Sequence, residues 1–196
     1  MSSSKGDNPF KPLTDAGLCV VCVPSSDSIE GVEKDIQFTA DCLGKSEEGK
    51  TIISKMATEI DKIKAIGATI KDKKTVMFEI SALPSIYSFG SGTFLNEMIE
   101  IAGARNVFAD QKSWISVTEE SAIAANPDVI LTNVSYIKDS VGEILSRKGW
   151  GDMKAIRSKS VYYVDNGLSS IPNQHIVEAL KQVAKAVYPD AYSAID

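Results

Sequence analysis

Three groups of residues in this 196-residue chain have types and spacing that could do chemistry: a CxxC at Cys19 and Cys22, a lone histidine at His175, and a glycine-bearing loop at Gly90-Ser91-Gly92-Thr93. A redox CxxC needs a helix N-terminus to stabilise its thiolate, and zinc needs further ligands. Cys19 and Cys22 sit instead in Leu18-Cys19-Val20-Val21-Cys22-Val23. That β-branched run reads as a buried strand, and the odd separation turns the thiols to opposite faces, so core cysteines are expected. His175 has no GxSxG nucleophile elbow to serve, so no Ser-His-Asp or Cys-His catalysis is expected. It reads as a satisfied histidine at a helix start or, alternatively, as a ligand contact. The Gly90–Thr93 loop begins like a dinucleotide fingerprint, but its third glycine is Leu95, and no GxxxxGK[ST] loop exists. Lying between a strand and a helix, it either offers free N–H groups to an acceptor on a ligand or is a tight turn with a Thr cap. No HxxxH, HExxH or EF-hand pattern occurs, so any metal is expected to arrive inside a ligand, touched by at most a side chain such as Tyr87 or His175.

Composition bounds the function further. The chain is 43% hydrophobic and 24% charged with net charge −5, ordinary for a globular protein and wrong for a nucleic-acid partner, which needs clustered Lys and Arg. No apolar run approaches the roughly 20 residues that span a bilayer. Met1–Asp7 lacks a signal-type hydrophobic stretch, so the chain as it stands carries no address, as a processed piece of a longer protein also would not.

The elements that must position these residues alternate between β-type and helical patterns, the signature of an α/β protein with a mainly parallel sheet. Strands are expected at 18–23, 75–80, 106–108, 129–131 and 161–164. Helices are expected from Ser28 to about Leu43, over 46–67, 93–102, 118–125, 141–147 and 174–187. The 46–67 helix carries Ile52, Ile53, Met56, Ile60, Ile63 and Ile66 over about 30 Å, long for a crossover and suited to bridging two lobes. Residues 74–196 then form a complete C-terminal α/β lobe, 44–73 the linking helix and linker, and 1–43 a partial N-terminal lobe. One strand and one helix cannot bury their own apolar faces. Residues 1–43 are therefore expected to pack onto a partner chain or stay mobile, with self-association through the truncated lobe as one outcome.

The run Tyr87-Ser88-Phe89-Gly90-Ser91-Gly92-Thr93-Phe94-Leu95-Asn96-Glu97-Met98, continuing through Ala102-Gly103-Ala104-Arg105-Asn106-Val107-Phe108, resembles the helical-backbone class of ABC importer substrate-binding proteins. Trp114-Ile115-Ser116-Val117-Thr118-Glu119-Glu120, Asn126-Pro127-Asp128-Val129-Ile130 and Val161-Tyr162-Tyr163-Val164-Asp165 extend the likeness, as do Leu13–Val23 and Gly44-Lys45. The resemblance implies two α/β lobes joined by one long helix. A metal chelate (iron(III)-siderophore, cobalamin or haem) would sit in the cleft and pass to an ABC permease. It also implies an extracytoplasmic site of action, periplasmic or as an anchored lipoprotein, no intrinsic cofactor and no catalysis. About half of the first lobe would lie outside this sequence.

Residue roles follow from the same resemblance. Tyr87, Phe89 and Ser91 resemble a ligand-facing loop, Trp114 a cleft tryptophan, and Tyr136, Asp165 and Asn166 further cleft contacts. Glu120 matches the surface carboxylate that docks onto permease arginines. Aromatic faces suit a large flat ligand, and an exposed acid can pair with arginine across an interface. Tyr87 and Phe89 also read as packing residues, and Glu120 as a first-turn helix acid held by the dipole. The last loop, Asn166–His175, has only Asp165 before it and no arginine, a departure that counts against a corrinoid without removing it. Two other readings stand beside this one: a flavodoxin-like cofactor-binding or enzymatic α/β domain using Gly90–Thr93 for a phosphate, and a sensor or interaction domain on a related fold.

Overall fold

Alternation along two central strands decides which face of the sheet each side chain enters. In the computed structural model, which describes residues 8–195, Val76 and Phe78 of one strand and Val129 and Leu131 of its neighbour enter one apolar core, while Met77 and Ile130 enter another on the opposite face. A parallel sheet buried on both faces needs such continuous apolar strands.

In chain order the elements are α1 (Lys11–Asp15), α2 (Ile29–Cys42), α3 (Ser46–Gly67), β1 (Thr75–Glu79), β2 (Ile86–Phe89), α4 (Phe94–Ile101), β3 (Arg105–Asn106) and β4 (Trp114–Val117). They continue with α5 (Glu119–Ala125), β5 (Val129–Thr132), α6 (Ser140–Leu145), α7 (Lys154–Arg157), β6 (Val161–Tyr163), α8 (Asn166–Ser169) and α9 (Ile176–Val187). Strands β3-β1-β5-β6 form one parallel sheet, the four strands expected between 75 and 164. Strands β2 and β4 make a separate antiparallel ribbon, with Phe89 opposite Trp114, where no strand pair was expected. Helix α4 starts where the Thr93 hydroxyl accepts from the Asn96 amide, and α5 starts on a capping box between Thr118 and Ser121.

Helix α3 occupies the expected 46–67 span, with Glu47 and Glu48 in its first turn and Lys64 in its last, both favourable to the helix dipole. Met56, Ile60, Ile63 and Gly67 form its buried stripe. This C-terminal half packs on α4 and α9 rather than on the sheet. The Tyr192 hydroxyl ties it down, lying 3.2 Å from the Ile63 carbonyl and 3.1 Å from that of Ala102. The N-terminal half carries α2, which lies against it through the close meeting of Gly49 and Ala40.

Where α3 ends, Gly67 and Gly103 touch backbone to backbone. A Cβ at Gly103 would stand 2.7 Å from the Gly67 carbonyl oxygen, and one at Gly67 would run into the Ile101 carbonyl. Gly67→Ala is therefore expected to destabilise the protein by about 1–3 kcal/mol, the range for overpacking, read as a lower urea midpoint at unchanged slope. A midpoint equal to wild type would show that the helices can slide apart freely.

Residues 18–23 correct the sequence reading. No strand precedes Thr75 among the described residues, and Cys19, Cys22 and Cys42 are all exposed. A β-branched run forms a strand only against a neighbour that completes its ladder, and none reaches it here. Helix α2 corrects it too: it packs within the chain, burying Ile29 and Val32, with the Ile29 amide donating to Glu97 on α4 at 2.8 Å. All three thiols are expected to react with a thiol reagent in the native protein without denaturant, because all three are exposed. Protection of two of them would restore the buried-strand reading.

Candidate functional site

The carboxyl ends of parallel strands are where an α/β sheet leaves a crevice, because the connections diverge to opposite faces there. Ile80 directly follows β1, Asn133 directly follows β5, and α8 follows β6. These ends frame a hollow of about 310 Å³. Its apolar wall is Ile80, Phe94, Leu95, Trp114 and Pro172; its polar groups belong to Ser25, Asp27, Asn133, Ser169 and Ser170. At Ser25 and Pro172 it runs into a larger trough of about 680 Å³ along α2 and α3, lined mainly by aliphatic side chains such as Val32, Ile36, Leu43 and Ile52. The larger trough also carries Asp35, Lys45 and Glu48 but no aromatic side chain, whereas the smaller hollow joins aromatic rings to hydrogen-bonding groups at the strand ends.

Trp114 is the one proposed ligand residue that lines this hollow, 42% exposed. Its ring is held edge-on by Phe89 (centroids 6.0 Å apart, planes at 81°) and by Phe94 (6.4 Å, 70°), the tilted geometry aromatic pairs favour. Phe89 itself is fully buried, stacked between Phe78 and Trp114, so it backs the indole rather than facing a ligand. Placed on the inner side of the β2–β4 ribbon, it is covered by its cross-strand partner.

Ser91 is likewise turned inward, its hydroxyl donating to the Gln111 carbonyl at 2.9 Å. The Gly90 and Ser91 amides donate to the Ser113 and Gln111 carbonyls, so they are spent on protein. Thr93 caps α4 and also donates to the Gly90 carbonyl. The loop is a tight, capped turn and not a phosphate cradle.

Tyr87 and Tyr136 are exposed and flank Ser81, beyond the end of β1. The Tyr87 amide donates to the Ser81 carbonyl, and the Tyr136 hydroxyl accepts from the Ala82 amide at 2.8 Å and lies 3.3 Å from the Ser81 hydroxyl. Asn166 stands behind the hollow, its side-chain amide donating to the Asn133 carbonyl at 2.8 Å. Asp165 caps α8, accepting from the Leu168 amide at 3.0 Å, while its backbone carbonyl accepts the Ser169 hydroxyl at 2.7 Å. His175 is exposed outside the hollow, beside Gln174. Among the described residues no cluster of three or more His, Cys, Asp or Glu is arranged to hold a metal ion.

The sequence reading missed the polar floor. Asn133 follows the last residue of β5 and Ser169–Ser170 follow β6 by one short helix, so the strand-end rule alone would have found them. Of the two adjacent acids on α5, Glu119 accepts the Trp150 indole N–H at 3.0 Å. Glu120 is exposed and in no ion pair among the described residues, and its own amide and Thr118 hold its carboxyl below the usual range.

Comparison with known proteins decides the family. The periplasmic binding protein family model matches residues 8–168. The chain belongs to the periplasmic binding protein family. It is 31% identical over 193 residues to the uncharacterized ABC transporter substrate-binding lipoprotein YvrC of Bacillus subtilis, covering 97% of this chain and 60% of that protein. It is 30% identical over 174 residues to the molybdate-binding protein MolA of Haemophilus influenzae, covering 85% of this chain and 48% of the other. The chain thus spans about half to three fifths of these relatives' lengths. Among solved structures, a possible iron-binding (periplasmic solute-binding) protein from Staphylococcus epidermidis matches with TM-score 0.83 and 30% identity over 91% of this chain and 70% of that one. The match to solved periplasmic binding proteins agrees with the mixed α/β architecture and its mainly parallel sheet.

Proposed function

We propose that this chain is part of the extracytoplasmic solute-binding component of an ABC importer, working in the periplasm or as a membrane-anchored lipoprotein. It captures a metal chelate of the iron(III)-siderophore, cobalamin or haem type and passes it to the permease without chemical change. The observation that carries the reading is Trp114: a large indole, braced by two aromatic rings, left open at the strand ends beside a small polar floor. A concave, mostly apolar site with a few placed polar groups is what a small molecule needs, and no nucleophile–base pair accompanies it there. In this reading Tyr87 and Tyr136, exposed beside Ser81 and outside the lining of the hollow, add aromatic contacts to a ligand that reaches beyond it. On the same reading Glu120, exposed and in no ion pair among the described residues, meets a permease arginine across an interface. The family supports a capture role, and the iron- and molybdate-related names of two similar proteins support cargo that contains a metal.

The test is thermal unfolding of the 196-residue chain with a panel of metal chelates, nucleotides and sugars. A chelate at a hundred times its Kd is expected to stabilise the fold by about 2.7 kcal/mol. Stabilisation by a nucleotide or sugar and by no chelate would overturn the proposal. The flavodoxin-like reading has little left to stand on, since the Gly90 and Ser91 amides it needs are bonded within the protein.

A further inference from the structure

The floor of the hollow has a hydrogen-bonding polarity of its own. Asn133 is 2% exposed, and its side-chain N–H donates to the hydroxyls of Ser169 at 2.9 Å and Ser170 at 3.2 Å. The Ser169 hydroxyl donates in turn to the Asp165 carbonyl. Ser170, exposed at the hollow, receives a hydrogen bond and keeps its own O–H to give. The Asn133 side-chain oxygen is buried without any partner, an unmet acceptor beneath the same wall. The buried Asn133 oxygen is out of a ligand's reach, so the group this floor offers is the exposed Ser170 O–H, which a ligand amide carbonyl or hydroxamate oxygen can accept.

Charge points the same way. Among the described residues lining the hollow there is no lysine, arginine or histidine, and the one ionisable group is the exposed Asp27. A ligand carboxylate or oxyanion brought here loses water, meets no cation and faces a like charge. An uncharged ligand meets none of these costs.

Taking the hollow as a wall of the ligand site, as proposed above, we infer that it selects an uncharged, amide-flanked or hydroxamate-bearing chelate against chelates with free carboxylates and against bare oxyanions. Ser170 donates to a ligand carbonyl or hydroxamate oxygen, Trp114 covers the apolar body, and Asp27 repels anions at the rim.

The experiment titrates the 196-residue chain with two uncharged probes, a neutral ferric trihydroxamate and cyanocobalamin, and with three anionic ones, haemin, a ferric tricatecholate and molybdate. Binding is read by quenching of the exposed Trp114, since Trp150 is fully buried, and by thermal shift where quenching is weak. At least one uncharged probe is expected to bind about tenfold tighter or more than every anionic one. The arm that binds tells siderophore from corrinoid. Asp27→Asn, in an exposed irregular segment, is expected to narrow the gap severalfold, and Ser170→Ala to weaken the uncharged probe about tenfold. An anionic probe binding as tightly as the neutral ones, or a gap unmoved by Asp27→Asn, overturns the inference while leaving chelate capture standing. Binding by none of the five overturns both.

Discussion

Arg147→Ala is expected to cost about 3–5 kcal/mol of folding stability, a large share of the roughly 5–15 kcal/mol that holds a typical domain. The guanidinium, 2% exposed, makes a bidentate pair with the fully buried Glu79 at the end of β1, at 2.6 and 2.9 Å. It reaches Glu143 on α6 through three more contacts between 2.6 and 3.1 Å and stacks over the Trp150 ring at 4.6 Å. Truncation leaves Glu79 charged, unpaired and dry, which is the expensive way to break a buried pair. It also releases α6, and with it the 133–139 segment that carries Tyr136.

The pH dependence carries the signature. In the intact protein burial already pushes the Glu79 carboxyl up, with Glu143 adding to the rise and Arg147 pulling it only part of the way back. Without Arg147 that pull is gone and the carboxyl rises further. A group whose folded pKa stands above its unfolded value favours the fold when protonated, so its contribution is lost as pH climbs through the window between the two. The deficit of Arg147→Ala should therefore shrink at about pH 5 and be fullest near pH 8. Glu79→Gln/Arg147→Met should recover part of the loss by removing both charges. Urea unfolding at the two pH values reads all of this, and a deficit under about 1 kcal/mol at pH 8 would mean the cluster is solvated.

Trp114→Ala is the corresponding prediction for binding. An exposed aromatic ring, fixed by its neighbours before ligand arrives, loses little entropy on contact and is the kind of side chain that dominates an interface. Its removal is expected to weaken chelate binding about 30-fold or more, equivalent to roughly 2 kcal/mol, and to lower the urea midpoint as well, because the ring is 42% exposed but also covers Phe89. Trp114→Phe should retain most of the affinity. Removing the inward neighbour, by contrast, should damage folding first: Phe89→Ala opens a cavity under the ribbon, between Phe78 and Trp114. Equal affinity in wild type and Trp114→Ala would place the ligand elsewhere on the molecule.

Much of the architecture was legible because it is written in local patterns. The stripe of Met56, Ile60 and Ile63 declares α3 by its spacing, and Thr93, Thr118, Asn126 and Gly103 mark helix ends by their own chemistry. The β-branched runs at Thr75 and Val129 declare central strands because both of their faces are apolar. The ribbon was not legible, since the pairing of Ile86 with Val117 joins segments some thirty residues apart with no turn signal between them. The small helices α1, α7 and α8 carry too few turns to show a period.

The sequence by itself determined what a local pattern can carry: the long helix, the capped helices and the apolar runs at Thr75 and Val129 that are able to become central strands. Only the tertiary structure decided which of them found partners. Leu18–Val23 has the composition of a strand and is irregular because no neighbour completes its hydrogen bonds. Phe89 and Trp114 sit opposite one another across the same ribbon, yet one is buried and the other open, because the second ring covers the first. Asn133, Ser169 and Ser170 are unremarkable polar residues in the chain and become a floor only when the ends of β5 and β6 bring them within 3.2 Å of one another. Propensity is a property of a segment, whereas burial and an unmet hydrogen bond are properties of what the rest of the chain places beside it.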